Sequence, residues 1–416
     1  MRGRHRKDSP LAFLFVTVFV DMIGYGIVVP LLPFYARGYV PGAVLIGALG
    51  SLYAAAQLFG GPYLGGLSDR VGRRPVLILC LLGASCAYLL LGLANSVFLL
   101  VAAVTLAGLA AATQATAQAY IADVTEPEDR ARRLGIIGAA FGLGLMAGPV
   151  LGGLLSLYNP GAPAFAASAL ALGNATFGFF VLSESLPKGL RPGAAVSRPN
   201  ALVRLMGVLR LPGLRTLLIA VFLLNLSFAG LLVNFPLFSN ARFAWNAADN
   251  AFFFAFVGLC AVLTQGFLIG KLQPRLGDGR LLKSGLTLMA VCLVLVAIVP
   301  YGALLYPAVG LLAMGAGLAI PAVAALISRR VHASEQGTVM GGTQAVISLT
   351  LILGPVLSGL AFDGLGVAAP YWIGSLLAAL ALLPATAALS PARDFRETAA
   401  SGRSKEGAPR ATEIGG

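Results

Sequence analysis

The stretch Gly65-Gly66-Leu67-Ser68-Asp69-Arg70-Val71-Gly72-Arg73-Arg74-Pro75-Val76-Leu77 lies between two apolar runs, and a degenerate copy returns at Gly270-Lys271-Leu272-Gln273-Pro274-Arg275-Leu276-Gly277-Asp278-Gly279-Arg280. Aligning the two sets Gly65 on Gly270, Leu67 on Leu272, Arg70 on Arg275 and Gly72 on Gly277. A second pair recurs at nearly the same offset: Gly148-Pro149-Val150-Leu151-Gly152-Gly153 and Gly354-Pro355-Val356-Leu357-Ser358-Gly359. The chain is an internal duplication. Parallel repeats of this kind mark one large class of polytopic membrane proteins.

Composition agrees. Hydrophobic residues make up 58% of the 416 and charged residues 11%, against about a quarter charged in ordinary globular chains, and the mean hydropathy is +0.87. Twelve apolar stretches reach the length a membrane helix needs: 10–36, 43–64, 75–94, 97–122, 134–156, 163–183, 214–238, 250–270, 281–300, 302–327, 338–361 and 368–389. The alternating pattern of a membrane β-barrel is absent, so helices, which satisfy their own backbone groups, are expected.

The net charge of +13 invites a nucleic-acid reading, but the placement of the charge excludes it. Of the 29 Lys and Arg, only Arg37 and Arg242 fall in loops opposite the N-terminus; the rest lie in the termini and beside the loops after spans 2, 4, 6, 8 and 10. This bias puts both termini in the cytoplasm. The expected organisation is a cytoplasmic N-terminus at 1–9, a six-helix half at 10–183, a cytoplasmic linker at 184–213, a second six-helix half at 214–389 and a polar, disordered tail at 390–416. The basic start before an apolar run resembles a signal peptide, yet the run is too long and carries Pro30 and Pro33 where cleavage would fall, so it is expected to stay as span 1.

Cys80, Cys86, Cys260 and Cys292 sit in apolar spans without metal or disulfide spacing, and His5 and His332 are far apart, so no metal site is expected. No cofactor is expected either: there is no Gly-rich nucleotide loop, which leaves an ATP-driven pump unsupported.

Four stretches carry a resemblance to the major facilitator superfamily, and within it to the twelve-span drug:proton antiporters near the tetracycline-antiporter branch. Gly65–Leu77 fits the loop motif, including Asp69, Arg70, Gly72, Arg73 and Arg74. Asp21-Met22-Ile23-Gly24-Tyr25-Gly26-Ile27-Val28-Val29-Pro30-Leu31-Leu32-Pro33 resembles the first-helix pattern. Ala119–Thr125 with Asp123, followed by Arg130, Arg132 and Arg133, resembles the end of the fourth helix, and Gly144–Gly153 fits the span 5 antiporter motif. One departure stands out: the family commonly has an Arg within span 4, thought to assist proton exchange, and aligning on Gly108 puts Val104 there. Its loss puts the standard coupling scheme in doubt, not the superfamily.

The residues have a physical reading of their own. Asp69, Arg70, Arg73 and Arg74 can bond one another and oppose helix dipoles, forming a gate that latches the halves on the cytoplasmic side; the alternative is a solvated basic loop that sets topology. Asp123 and Arg130 join this gate set, and Arg275 in the second copy, with Pro274 opposite Asp69, is expected to be the weaker gate. Gly144, Gly148 and Gly152 recur every four residues, with Pro149, and form a smooth stripe. With Gly153, Gly354 and Pro355 they are read either as the seam between halves or as generic small-residue packing.

Asp21 is the ionisable side chain placed nearest the middle of a span. A lone carboxylate there costs several kcal/mol or binds a proton instead. Thr17, Asp21 and Tyr25 share a face. Asp21 is therefore the candidate proton carrier, the alternative being a structurally bonded acid. Gln114 and Gln118 on span 4, and Asn225, Phe228 and Asn234 on span 7, complete the expected cavity; Phe252, Phe253 and Phe254 read as ligand stacking or, more often, packing.

Together these features predict an all-α membrane protein of twelve helices in two pseudo-repeats. It is expected to export a small lipophilic or cationic compound in exchange for protons, as a monomer in the lipid bilayer of the inner membrane, with no nucleic acid and no enzyme activity. Two alternatives stay open: a sugar or metabolite exporter or uncoupled facilitator, and a receptor that lost transport.

Overall fold

The computed structural model describes residues 5–36, 38–39, 42–186, 214–331 and 336–389, and the side chains of residues 5–11, Arg130 and a few others lie outside the description. Most of the expected linker, the tail, Arg37 and His332 also fall outside it. Within it the chain is helical. The helices are α1 (His5–Val28), α2 (Leu32–Ala36), α3 (Ala43–Val71), α4 (Arg73–Gly92), α5 (Val97–Ala110), α6 (Thr113–Val124), α7 (Pro127–Ser156) and α8 (Ala162–Val181) in the first half. The second half holds α9 (Arg215–Ala229), α10 (Leu231–Phe243), α11 (Ala247–Leu263), α12 (Ile269–Ile298), α13 (Leu305–Arg329), α14 (Gln336–Leu365) and α15 (Ala369–Leu389).

Nine helical stretches among the described residues are long and apolar enough to cross a membrane, and a tenth is the pair α9 and α10, bent by 41°. The stretch Ala247–Ile298 runs for 52 residues, more than twice the roughly 20 that span a bilayer. It folds back at Gly277, whose φ is 71°. Gly72, which the repeat aligns with Gly277, turns the chain between α3 and α4 with φ 121°. Both copies thus place a glycine where other residues are strained, and the duplication is visible in the backbone. With the shorter apolar helix Ala12–Val28, the helices accord with twelve spans.

Span 4 is not continuous. Between α5 and α6 the Ala112 amide bonds the Ala110 carbonyl rather than the one four residues back. Irregular backbone at membrane depth is tolerated where protein or a cavity satisfies it, and the Cys80 thiol lies within hydrogen-bonding reach of Ala112.

Each half has its own core. In the second, α9, α12, α13 and α15 pack around Leu282, Leu286, Met289 and Leu293; in the first, α1, α3, α4, α5 and α8 pack around Ile27, Leu100, Ala164 and Ala167. The halves meet substantially through α3 on α14 and α7 on α11, and through α10 and α11 on the Val29–Leu31 turn and α2. The closest of these contacts lie toward the face opposite the basic loops, here called the outer face: Gly47 against Pro355, Gly359 against Ala43 and Gly153 against Ala251. Toward the basic face Gly61, Gly65, Gly66, Gly266 and Gly270 have open space before them. The two halves are closed on each other at the outer face.

The glycine stripe corrects one sequence reading. Side chains added at Gly144, Gly148 and Gly152 would meet Phe19, Ile23, Gly26 and Ile27, all on α1 of the same half. The stripe therefore seats α1 on α7 and does not line the seam, because the half-to-half contact of α7 falls on another side of the helix, at Met146 and Gly153. Gly354 likewise meets Ala229 of its own half, whereas Pro355 faces Gly47 and Gly50 across the seam.

Candidate functional site

Between the halves lies a cavity of about 90 Å³. Most of its wall is apolar and comes from the first half, including Val28, Leu32, Ala103, Val104 and Ala107; Ala229, Val233, Leu351 and Pro355 close it from the second. Its polar groups are Tyr25, Tyr53, Gln57 and Tyr88. The rings of Tyr25 and Tyr53 are 5.8 Å apart, and Tyr88 packs over Gly24 of α1, where a side chain would stand 3.1 Å from its ring.

Asp21 sits one turn from Tyr25 toward the basic face, half-buried. The Thr113 hydroxyl is within hydrogen-bonding reach of its carboxyl, and Tyr53, Tyr88 and Cys80 are close enough to feel its charge. The break in span 4 makes this possible, since Thr113 opens α6 immediately after the interrupted turn. No cation is among these groups, so an ionised Asp21 would rest on hydroxyls alone. A carboxyl in apolar surroundings without a cation beside it is costly to ionise.

The remaining residues expected to line the cavity are placed elsewhere. Thr17 is buried, its carbonyl accepting from Asn174 Nδ2 at 2.9 Å while its hydroxyl lacks a partner. Gln114 is half-buried and Gln118 exposed on α6. Asn225 donates to the Val221 carbonyl of its own helix at 2.8 Å, and Phe228 packs on the second-half core. Asn234 donates to the Pro355 carbonyl at 3.2 Å, with its own oxygen unpartnered. Of the three phenylalanines on α11, Phe253 is fully buried and stacked 4.5 Å from Phe235. Tyr53, Gln57 and Tyr88 were missed in the sequence, although Tyr53 and Gln57 lie four residues apart and so share a face of α3. Val104, which stands where the family commonly has an Arg, lines the cavity.

The loop motif forms a network at the basic face. Arg73 donates from Nη1 to Asp69 at 2.5 Å and from Nε to Asp123 at 2.9 Å, and Glu184 accepts from the amides of Arg73 and Arg74 at 2.8 and 3.3 Å, capping α4. Arg74 reaches the Phe179 carbonyl at 2.5 Å. These bonds join α3, α4, α6 and the end of α8, all of one half; Arg70 is exposed and Arg130 lies on α7. In the second copy Arg275 is exposed. The buried acid there is Asp278, bonded by Gln273 at 2.9 Å and paired with Arg329 at 3.1 Å. The repeat aligns Asp278 with Arg73, and Arg329 ends span 10 as Asp123 ends span 4. The same ion pair occurs in both halves with its charges exchanged.

Two pseudo-equivalent helical halves that meet at one face over a largely apolar cavity, with the Asp21 carboxyl one turn from its wall, define a membrane carrier of the alternating-access kind. The chain belongs to the Major Facilitator Superfamily, whose description matches residues 14–342 and 267–414. It is a multi-pass membrane transporter and not an enzyme, with a small-molecule substrate and protons as partners. It is 37% identical over 361 residues to the class C tetracycline resistance protein of Escherichia coli, covering 85% of this chain and 89% of that one. It is 30% identical over 363 residues to multidrug resistance protein 2 of Bacillus subtilis (strain 168), covering 86% and 90%. Among solved structures, the human organic anion transporter MFSD10 (TETRAN) superposes with a TM-score of 0.69 at 24% identity, over 91% of this chain and 99% of that one. A mutant of the nucleoside transporter NupG superposes with 0.76 at 13% identity, over 91% of this chain and 99% of that one.

Proposed function

We propose that this chain exports a small amphiphilic drug, of the tetracycline or multidrug kind, in exchange for protons, by rocking its two halves about the cavity they enclose. The observation that carries the reading is the Asp21 carboxyl beside the Thr113 hydroxyl, one turn from a largely apolar, tyrosine-lined cavity. Asp21 takes a proton when the cavity faces the outer side and releases it when the cavity faces the basic side. The basic face is cytoplasmic, both termini lie there, and the membrane is the inner one. The protein works as a monomer. Asp69, Arg70, Arg73, Arg74, Asp123 and Arg130, with Arg275 in the second copy, form the cytoplasmic gate region; the Asp69–Arg73–Asp123 network makes α3, α4 and α6 move as one body.

The wall chemistry supports the substrate class. Four uncharged polar side chains in an apolar lining suit a lipophilic solute, and a sugar or phosphate needs more donors or Arg anchors. A second reading, export without proton coupling, rests on Val104 at the cavity wall in place of the usual Arg.

The test is purified protein in proteoliposomes enclosing a pH-sensitive dye, challenged with tetracycline and with cationic, neutral and anionic drugs. Export coupled to protons gives dissipation of a preset gradient that requires both protein and drug. Drug movement without proton movement selects the uncoupled reading, and movement of neither sinks both.

A further inference from the structure

The backbone amides that open a helix have no partner inside it. At the start of α3 the local sequence supplies none: the N-cap is Gly42, with φ 81° and no side chain to accept. The acceptor comes from the other half. Asp363, near the end of α14, takes the Ala43 amide on Oδ1 and the Val44 amide on Oδ2, each at 3.0 Å. A side chain at residue 42 would stand 2.9 Å from Asp363 Oδ2, so glycine admits the carboxylate as well as the turn. Beneath this cap the two helices touch backbone to backbone, Gly47 on the Pro355 carbonyl and Gly359 on the Ala43 carbonyl.

The second half makes the opposite choice. α11 is the repeat counterpart of α3, and it carries a complete capping box of its own, with Asn246 accepting from the Asp249 amide at 3.0 Å and Asp249 accepting from the Asn246 amide at 2.9 Å. Two equivalent helix starts at the outer face therefore differ. One is satisfied in every state of the protein, and the other only while the halves are together there.

We propose that Asp363 is a latch of the outer face, its carboxylate holding the amino end of α3 while that face is shut and letting it go when the halves part. The latch rests on the two-half rocking proposed above. A carboxylate is favoured at the positive end of a helix, and on opening, both it and the two amides pass to water. The contact thus favours the closed outer face without forbidding the open one.

Distances across the outer face test this without any transport. Spin labels at Tyr158→Cys and Tyr301→Cys, in a background with Cys80, Cys86, Cys260 and Cys292 replaced by Ala, report the separation of two exposed outer loops, one in each half. Asp363→Ala is expected to raise the ratio of open to closed outer face about fivefold, the usual effect of losing a capping side chain, and Asp363→Asn, which keeps one acceptor oxygen, about twofold. Should the alanine variant fail to fold, the isosteric asparagine variant decides. Distance distributions unchanged from the parent overturn the latch. Asp363 variants that show the shifts, together with a parent protein that moves no drug in vesicles, overturn the transport reading and leave the latch standing.

Discussion

Gly148→Ala adds one methyl group to α7, and the structure says where it goes. The new carbon would lie 2.7 Å from Gly26 Cα, 2.7 Å from the Ile23 carbonyl oxygen and 2.8 Å from Gly26 C. All three are backbone atoms, which no rotamer change can move. Ordinary contact begins at 3.4 Å, so α1 must withdraw by about 0.7 Å. Overpacking on this scale costs about 1 to 3 kcal/mol. The neighbouring glycines provide a graded series: Gly144 is as tight, at 2.5 Å from the Phe19 carbonyl, Gly152 is looser at 3.1 Å, and Gly138 has nothing within reach. Alanine at Gly138 should be neutral or stabilising by up to about 1 kcal/mol, because alanine favours helix. The assay is thermal denaturation of the four purified variants in detergent, with the outer-face spin-label distance recorded beside it. The expected order of stability is Gly138→Ala, then Gly152→Ala, then Gly144→Ala and Gly148→Ala, with the distance between halves unchanged. A Gly148→Ala variant as stable as Gly138→Ala refutes the packing of α1 on the stripe, and one that widens the outer face restores the stripe to the seam.

Other expectations concern the charge network and the cavity. Reversing Arg73→Asp alone should abolish drug export in vesicles, and the double change Arg73→Asp with Asp123→Arg, which copies the arrangement of Asp278 and Arg329, should recover a substantial part of it; no recovery would show that the pair does more than join α4 to α6. Asp278→Asn leaves Arg329 without its partner, and since Arg329 is largely exposed the loss of stability should stay at about 1 kcal/mol or below, checked by the same denaturation assay. Tyr53→Ala enlarges the cavity and should weaken drug binding at least several-fold in a fluorescence titration while leaving the fold intact; equal affinity would remove Tyr53 from the site.

Much of this architecture is legible in the sequence because membrane helices and glycine turns leave local signals. Twenty apolar residues announce a span wherever they pack, and Gly72 and Gly277 announce a left-handed turn. The direction in which a helix face points is not local. Gly144, Gly148 and Gly152 are spaced for close approach, yet the partner is α1 of the same half, a choice fixed by the rotation of α7 in the bundle. The break that brings Thr113 to Asp21 falls in an alanine run without Pro, where nothing in the chain marks it. Asp278 escaped notice because the repeat aligns it with Arg73, an opposite charge, and the pairing emerges only when Arg329 is seen beside it. The Asp21 environment was half legible: an acid in an apolar run is conspicuous, but the tyrosines around it come from α3 and α4.

The central claim is that Asp21 carries the proton. The most direct measurement places Asp21→Asn protein in vesicles and records two fluxes for one drug, exchange of labelled for unlabelled drug and movement of protons with drug. The amide keeps the shape of the carboxyl and cannot titrate, so drug exchange should persist while drug-dependent proton movement vanishes. Proton movement at the parent rate would contradict the account.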